Sequence, residues 1–123
     1  MAKRTTDIVT RVVPPFGAPY VFVLAVVAGT DRHAVHRLTK KETIIGADPD
    51  LADFVLNDSQ VSSRHVTIRV NGNMVSLIDQ HSTNGTILNE NAIPPGKPNR
   101  LKPGDEITVG MTRLIFMSSK FRD

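Results

Sequence analysis

Two segments of this sequence are rich in side chains that can donate hydrogen bonds to an anion. Residues 57–65 read NDSQVSSRH and residues 80–86 read QHSTNGT, so both combine hydroxyl and amide groups. Such side chains donate to phosphate or carboxylate oxygens, and backbone N–H groups of polar loops do the same. Ordinary turn chemistry is the alternative, because Ser, Asn and Asp also cap their own backbone. Composition alone leaves both interpretations open.

Catalysis and metal binding find little support in the same residues. Ser62 lies close to His65, but no G-x-S-x-G turn surrounds the serine and no acidic partner is evident. His33 and His36 are three residues apart, which places them on opposite faces of a strand, and we interpret both as solvated strand residues. The chain has no cysteine and no glycine-rich phosphate loop leading into a helix. We therefore predict that the chain is not an enzyme and holds no metal or cofactor.

Four short motifs follow one another in a fixed order. They are IIGADPDLADFVL, VSSRHVTI, DQHSTNGTILN and LKPGDEITVG, and they lie between residues 44 and 110. In order and spacing they closely resemble the signatures of the forkhead-associated (FHA) domain, a β-sandwich that binds phosphothreonine peptides. The resemblance extends from residue 20 to residue 116. It implies a non-catalytic module for protein–protein interaction in signalling.

The resemblance also assigns roles to individual residues. The candidate phosphopeptide-binding residues are Ser62, Ser63, Arg64, Thr83 and Asn84. Ser62 and Thr83 would donate hydroxyl hydrogen bonds to the phosphate, and Ser63 would offer its backbone N–H. Arg64 is a candidate charged partner, and Asn84 would hold the ligand backbone through its carboxamide.

Four further residues would support this site rather than contact the phosphate. They are Gly46, His65, Gly85 and Asn89. The resemblance makes His65 a scaffold residue that braces the loops from below. The two glycines would allow close backbone approach and unusual φ angles. Asn89 resembles a second family asparagine, which orders a loop or contacts ligand residues after the phosphothreonine.

One position departs from the family pattern. Tight phosphothreonine binders usually carry Arg directly after the first glycine, and here that residue is Ala47. A charge-assisted hydrogen bond is worth roughly 1.5 to 3 kcal/mol, so its loss weakens binding about 10- to 100-fold. Asp48 and Asp50 add negative charge nearby, which repels a phosphate. The alternative function is therefore a phosphate-independent FHA scaffold that binds a partner, or another copy of itself, through a face of the sandwich.

The elements that position these loops are short strands. β-Branched-rich segments separated by turn signals occur at residues 20–28, 33–38, 42–45, 53–56, 65–70, 74–79, 86–88, 106–109 and 112–117. Asn71-Gly72 predicts a hairpin with both residues at positive φ, and Pro103-Gly104 suits a type II turn. No segment has helical periodicity. We predict an all-β fold, an antiparallel β-sandwich of about 11 short strands.

The domain boundaries follow from the same patterns. Residues 1–18 lack periodicity and predict a flexible N-terminal tail, residues 19–118 the sandwich domain, and residues 119–123 a C-terminal tail. The tail contains Thr5 and Thr6, each followed three residues later by an aliphatic residue. That spacing resembles some FHA ligands. We therefore predict that the phosphorylated tail is one possible ligand, alongside phosphothreonine-containing partner proteins.

The positive charge of the chain is concentrated at one end. The formal net charge is +3, yet residues 1–41 carry seven basic and two acidic groups, whereas residues 42–123 carry eight basic and ten acidic ones. No basic run is interleaved with aromatic residues that could stack on bases. We predict no nucleic-acid partner. A nucleic-acid or acidic-surface binder using residues 3–41 is the remaining alternative, and strong salt dependence of binding would favour it.

The longest apolar segment is YVFVLAVVA at residues 20–28. It is about half the length of a membrane span. The segment is preceded by the acidic Asp7 and by Pro14, Pro15 and Pro19, which also argue against a signal peptide. We interpret it as a buried strand that opens the fold, and predict a cytoplasmic protein with no membrane partner.

Overall fold

The computed structural model describes residues 20–120, which form eleven strands and no helix. In chain order the strands are β1 (Tyr20–Ala28), β2 (Val35–Arg37), β3 (Glu42–Gly46), β4 (Phe54–Val55), β5 (Val66–Asn71), β6 (Met74–Asp79), β7 (Thr86–Leu88), β8 (Asn91–Ala92), β9 (Asn99–Leu101), β10 (Glu106–Val109) and β11 (Thr112–Lys120). They make a six-stranded sheet, β2-β1-β11-β10-β7-β8, and a five-stranded sheet, β4-β3-β5-β6-β9. The prediction of an all-β sandwich is confirmed.

The core lies between the two sheets and comes from alternate residues of each strand. In β1 the buried residues are Phe22, Leu24 and Val26, because successive side chains of a strand point to opposite faces. Strand β5 contributes residues 66, 68 and 70 from the other sheet in the same way. Each fully buried aliphatic or aromatic side chain contributes about 1.5 to 3 kcal/mol. The two-residue periodicity of these strands therefore decides which side chains hold the sheets together.

The strand pairing is antiparallel with one exception. Strand β4 runs parallel to β3, with Ile45 opposite Phe54 and Gly46 opposite Val55. The chain returns between them through residues 47–53, so both strands point toward the same end of the sandwich. This arrangement places the β3–β4 and β4–β5 connections side by side.

The β5–β6 hairpin is present, but its turn lies one residue later than the sequence predicted. Asn71 pairs with Met74 as the last residue of β5, so the two turn residues are Gly72 and Asn73. Gly72 has φ +63°, whereas Asn71 is not among the described residues with positive φ. A two-residue turn with glycine first and positive φ only there is the type II′ pattern. The expectation of positive φ at Asn71 was wrong.

The other turn prediction agrees with the structure. Gly104 has φ +94°, and the Asp105 N–H donates to the Lys102 carbonyl across Pro103-Gly104. Residues 93–98, with three prolines, connect β8 to β9. The short edge strands β8 and β9 flank this connection. Neither was among the predicted strand segments, because two or three residues are too few to show a period.

The environment of the two closely spaced histidines differs from the expectation. His33 lies in a turn at φ +85° rather than in a strand, since β2 covers only residues 35–37. His36 is half-buried, and its ring stacks on Phe54 with centroids 4.9 Å apart. Burial lowers the pKa of His36, and the attraction of Asp53 only partly opposes this. His36 therefore joins the edges of the two sheets instead of facing solvent.

Strand β1 is the first strand of the described fold, and one of its faces, with Phe22, Leu24 and Val26, is buried in the core. Strand β11 continues to Lys120, two residues past the predicted end of the domain. The predicted tail with Thr5 and Thr6 lies outside the described residues. Residues 20–120 include no helix with the length and hydrophobicity of a membrane span.

Candidate functional site

The two polar segments lie at one end of the sandwich. Val66 begins β5 and pairs with Asp79, the last residue of β6, while Ile45 near the end of β3 also pairs with Val66. The segments that continue from these positions are the β4–β5 loop, residues 56–65, and the β6–β7 loop, residues 80–85. Antiparallel pairing thus places side by side two loops that are separated by about fifteen residues in sequence.

His65 connects these two loops from beneath. Its ring is fully buried, Nδ1 accepts a hydrogen bond from the Ser62 N–H at 2.9 Å, and Nε2 lies 2.9 Å from the Gly85 carbonyl oxygen. Because Nδ1 accepts, the hydrogen-bond pattern assigns the neutral tautomer with the proton on Nε2, which donates to Gly85. One imidazole therefore joins the two loops through hydrogen bonds to both.

Ser62 makes a second connection at the surface. Its Oγ accepts a hydrogen bond from the Thr83 N–H at 3.0 Å, which leaves the hydroxyl proton available for another acceptor. The Thr83 hydroxyl and the Ser63 N–H have no hydrogen-bond partner within residues 20–120, and both residues are exposed. The Ser62 hydroxyl, the Ser63 N–H and the Thr83 hydroxyl thus form a group of three donors around the hydrogen bond that joins the two loops.

Asn84 lies beside this group. Its Nδ2 donates to the Gln60 carbonyl at 3.0 Å, which orients the carboxamide across the gap between the loops. The side chain is exposed, so its Oδ1 and second amide proton can reach a ligand backbone. Gly85 follows at φ +82°, a conformation that glycine adopts readily and that lets the chain turn into β7.

Gly46 lets the β3–β4 connection lie directly against the β4–β5 loop. A Cβ at this position would lie 1.9 Å from the Ser63 carbonyl oxygen, so no larger residue fits without moving the backbone. The adjacent Ala47 N–H donates to the Ser62 carbonyl at 3.0 Å, and the Asp48 N–H to the Ser63 carbonyl at 3.4 Å. Close backbone approach, rather than an unusual φ, is therefore the reason for glycine here.

The positive charge available at this site depends on two positions, of which Ala47 carries no charge and Arg64 carries a guanidinium. The Ala47 side chain packs against the core and borders a shallow cavity of about 490 Å³. Arg64 is exposed, and its guanidinium has no partner among the residues that the structure describes. Arg64 is thus a cation of the β4–β5 loop that remains available to a ligand.

Two carboxylates, one buried and one half-buried, support the loops, and neither was predicted to have this role. Asp79 is buried and accepts hydrogen bonds from the Ser82 N–H, the Ser82 hydroxyl and the Thr86 hydroxyl. Burial pushes the pKa of Asp79 upward, but these hydrogen bonds outweigh it and leave the pKa below its ordinary value. Asp79 thereby holds both ends of the β6–β7 loop.

Asp58 performs the same task for the β4–β5 loop. Its carboxylate accepts from the Gln60 N–H, the Met111 N–H and the Thr112 hydroxyl, at 2.9, 2.8 and 2.7 Å. Burial opposes ionisation, yet the hydrogen bonds keep the pKa of Asp58 below its ordinary value. The Asp-x-Gln and Asp-x-x-Ser spacings were the available sequence signals, but they are common in turns.

Asn89 does not lie with the other predicted site residues. It is at φ +49° beyond the far end of β7, where its Nδ2 donates to Asp105 and its Oδ1 accepts from the Glu106 N–H, both at 2.9 Å. These contacts fix the β7–β8 turn against the start of β10. Asn89 therefore orders a loop three residues beyond Thr86, away from the hydroxyl cluster.

The arrangement suits an anion and offers little to a metal ion. The donors are hydroxyl, amide and backbone N–H groups held by buried His65 and Asp79, so they are ordered before any ligand arrives. Within residues 20–120 no three His, Asp or Glu side chains are grouped as a metal site would require. The chemistry available is therefore hydrogen bonding to a ligand such as a phosphate group.

Comparison with known families and structures gives consistent results. Residues 25–120 match the family described as the inner membrane component of T3SS, cytoplasmic domain. A structure from a study of phosphothreonine-dependent FHA domain interactions is similar, with TM-score 0.70 and 32% identity, covering 79% of this chain and 95% of that one. The FhaA FHA domain, solved in complex with an intracellular domain of another protein, has TM-score 0.68 and 33% identity over 77% and 98% of the two chains.

Several curated relatives are also similar. The oxoglutarate dehydrogenase inhibitor of Corynebacterium jeikeium is 35% identical over 96 residues, and that of Corynebacterium diphtheriae is 34% identical over 106. The glycogen accumulation regulator GarA of Mycolicibacterium smegmatis is 32% identical over 101 residues. The matches cover 78%, 86% and 82% of this chain, and 64%, 69% and 61% of those relatives.

Proposed function

This chain belongs to the forkhead-associated (FHA) domain family, and from that premise we propose that its loop site recognises phosphothreonine in a partner protein. The proposed contacts are Ser62, Ser63, Arg64, Thr83 and Asn84, supported by Gly46, His65 and Gly85. The module would act by binding alone, without a catalytic step. The matched relatives are named as an inhibitor and a regulator, which is consistent with such a role.

The observation that carries the proposal is the group of donors shared by the two loops. The Ser62 hydroxyl proton, the Ser63 N–H and the Thr83 hydroxyl have no acceptor among the described residues, while the loops that carry them are joined through buried His65. An ordered set of donors gains a phosphate's hydrogen bonds with little loss of conformational entropy. Turn capping alone would have used these donors within the loops.

Ala47 sets the strength that we expect of this site. Without the usual cation after Gly46, phosphate binding loses roughly 1.5 to 3 kcal/mol, or about 10- to 100-fold in affinity. Arg64 supplies one exposed cation from the neighbouring loop, and its Coulomb attraction offsets part of that loss. We therefore propose a weak site whose selectivity for phosphate depends on Arg64.

The test is titration of phosphothreonine and matched unphosphorylated peptides against the wild type and four variants. Ser62→Ala combined with Asn84→Ala should abolish binding, and Ala47→Arg should strengthen it about 10-fold or more. Ser59→Ala is the matched control, because Ser59 is exposed in the same loop and its hydroxyl makes no hydrogen bond within the described part of the chain. Arg64→Gln should weaken binding of the phosphorylated peptides about 10-fold.

Two outcomes would replace the proposal. If no phosphopeptide binds the wild type while Ala47→Arg binds, the site has lost its phosphate affinity and the phosphate-independent scaffold is the better function. If peptides bind equally with and without phosphate, the loops recognise sequence rather than charge. The observation that favours the phosphate-independent scaffold is Ala47, since the family's usual cation is missing.

The N-terminal segment is a candidate ligand of the same site. Phosphorylation of Thr5 or Thr6 would let residues 1–18 bind in cis, which competition by an added phosphopeptide would measure. Reduced peptide affinity after phosphorylation, restored by Thr5→Ala with Thr6→Ala, supports the idea, and unchanged affinity contradicts it. The sandwich boundaries, the cytoplasmic location and the absence of nucleic-acid and membrane partners stay predictions.

A further inference from the structure

The outer face of the six-stranded sheet is unusually apolar. In β1 the residues that alternate with the buried core are Val21, Val23, Ala25 and Val27, and all of them point away from the second sheet. An antiparallel sheet with one face in water normally alternates apolar and polar residues, and β1 does not. A continuous apolar strand of this kind is expected where both faces of a sheet are covered.

Neighbouring strands extend this surface. Strand pairing aligns Val35 of β2, Ala25 of β1 and Ile115 of β11 in one row, and Val23 with Met117 in the next. We call this surface the outer apolar face, and its members are Val21, Val23, Ala25, Val27, Val35, Ile115 and Met117. Three of them are exposed large apolar residues, at 43% for Val27, 61% for Val35 and 40% for Met117. Contiguous exposed apolar patches usually mark interaction surfaces.

Opposite charges flank this face on its two sides. Arg37, on β2, is aligned with Val23, and its guanidinium has no partner within residues 20–120. Glu106, on β10, is aligned with Ile115 and pairs with Arg113 at 3.0 Å. Arg37 therefore lies on one side of the apolar rows, and the Glu106–Arg113 ion pair lies across β10 and β11 on the other.

We propose that the outer apolar face binds a second copy of this chain in a two-fold symmetric, face-to-face dimer. A two-fold axis parallel to the strands and midway between β1 and β11 places β2 of one copy over β10 of the other. Arg37 then lies one row from the second copy's Glu106, about 7 Å along the strand, which an arginine side chain spans. Symmetry forms this pair twice, as an isologous interface requires.

The area of the face fits a reversible dimer. The face spans β2, β1, β11 and β10, which are three, nine, nine and four residues long. At about 3.3 Å per residue and about 4.8 Å between strands, they cover roughly 400 Å² on each copy. The two copies together bury about 800 Å², which is the size of a weak, transient interface. The dimer should therefore form only toward the upper end of the micromolar range.

The first experiment is sedimentation velocity of the full chain from 1 to 500 μM. The wild type should shift from monomer to dimer with concentration, whereas Met117→Lys and Val35→Lys should stay monomeric. Met74→Lys is the matched control, because Met74 is 50% exposed but belongs to the other sheet. Circular dichroism confirms that each variant is folded, and two variants from different strands guard against the failure of one.

Charge reversal tests which partner covers the face. Arg37→Glu should weaken dimerisation at least 10-fold, and adding Glu106→Arg with Arg113→Glu, which keeps the ion pair within each copy, should restore it. A monomeric wild type at 500 μM overturns the proposal. So does an effect of Met74→Lys equal to that of Met117→Lys, or a triple variant no better than Arg37→Glu. Dimerisation should persist in Ser62→Ala with Asn84→Ala, so it is independent of the loop site.

Discussion

Replacing Gly46 with alanine should damage both the stability of the domain and its ligand site. The new Cβ would lie 1.9 Å from the Ser63 carbonyl oxygen and 2.6 Å from the carbonyl carbon, where ordinary contact begins near 3.4 Å. The obstructing atoms belong to the backbone, so no side chain can rotate away. The β3–β4 connection and the β4–β5 loop must therefore separate by roughly 1.5 Å.

The magnitude follows from the contacts that this separation breaks. The hydrogen bonds from the Ala47 N–H at 3.0 Å and the Asp48 N–H at 3.4 Å would both be lost. At about 1 kcal/mol each, with about 1 to 3 kcal/mol of steric strain, the free energy of unfolding should fall by about 3 to 5 kcal/mol. Displacement of Ser62 and Ser63 from Thr83 should also lower phosphopeptide affinity more than 10-fold.

Gly85→Ala is the matched control for this experiment. Gly85 has φ +82°, but a Cβ there would meet no atom within 4 Å, so only the conformational cost of about 1 to 2 kcal/mol applies. Urea denaturation should therefore find Gly46→Ala about 2 kcal/mol less stable than Gly85→Ala. Equal stabilities, or a less stable Gly85→Ala, would show that φ rather than backbone contact governs these glycines.

Three other predictions concern the supporting residues. His65→Phe keeps a buried ring but leaves the Ser62 N–H and the Gly85 carbonyl without partners, so urea denaturation should show a loss of about 2 to 4 kcal/mol; a loss below 1 kcal/mol would contradict the bridge. Because the folded state lowers the pKa of Asp79, its stabilisation is present above the unfolded pKa, near 4, and is lost as the pH falls through the folded value. Asp79→Asn should accordingly flatten the fall of unfolding free energy between pH 5 and pH 2, relative to wild type. Asn89→Ala should cost about 1 to 3 kcal/mol of stability yet change phosphopeptide affinity less than two-fold, and a larger affinity change would place Asn89 in contact with the ligand.

Local rules predicted much of the fold. The two-residue alternation in β5 and β6, the Pro103-Gly104 turn and the absence of helical periodicity all depend on neighbouring residues. These interactions act over a few neighbouring residues, so they can be predicted from the sequence. The edge strands β8 and β9 were missed because such short strands have no period and form only by pairing with a neighbour.

The error in the β5–β6 turn and the unassigned inner face of β1 have the same physical origin. The β5–β6 turn was placed on Asn71 because Asn-Gly favours positive φ, but pairing of Asn71 with Met74 moved the turn by one residue. Strand β1 was interpreted as buried, but its sequence is apolar throughout and does not show which face lies in the core. Composition could not tell which face the second sheet covers, since that depends on which layers pack together.

The sequence by itself determined the sandwich class and, through four ordered motifs, the loops that carry Ser62 and Thr83. Only the tertiary structure decided how these loops are held. The His65 ring joins Ser62, three residues before it, to Gly85, twenty residues after it. Position 46 requires glycine because the Ser63 backbone leaves no room for a side chain. Such contacts depend on strand pairing and sheet packing, which bring distant segments within a few ångströms. Local propensities decide which strands form, whereas their packing decides which donors remain free for a ligand.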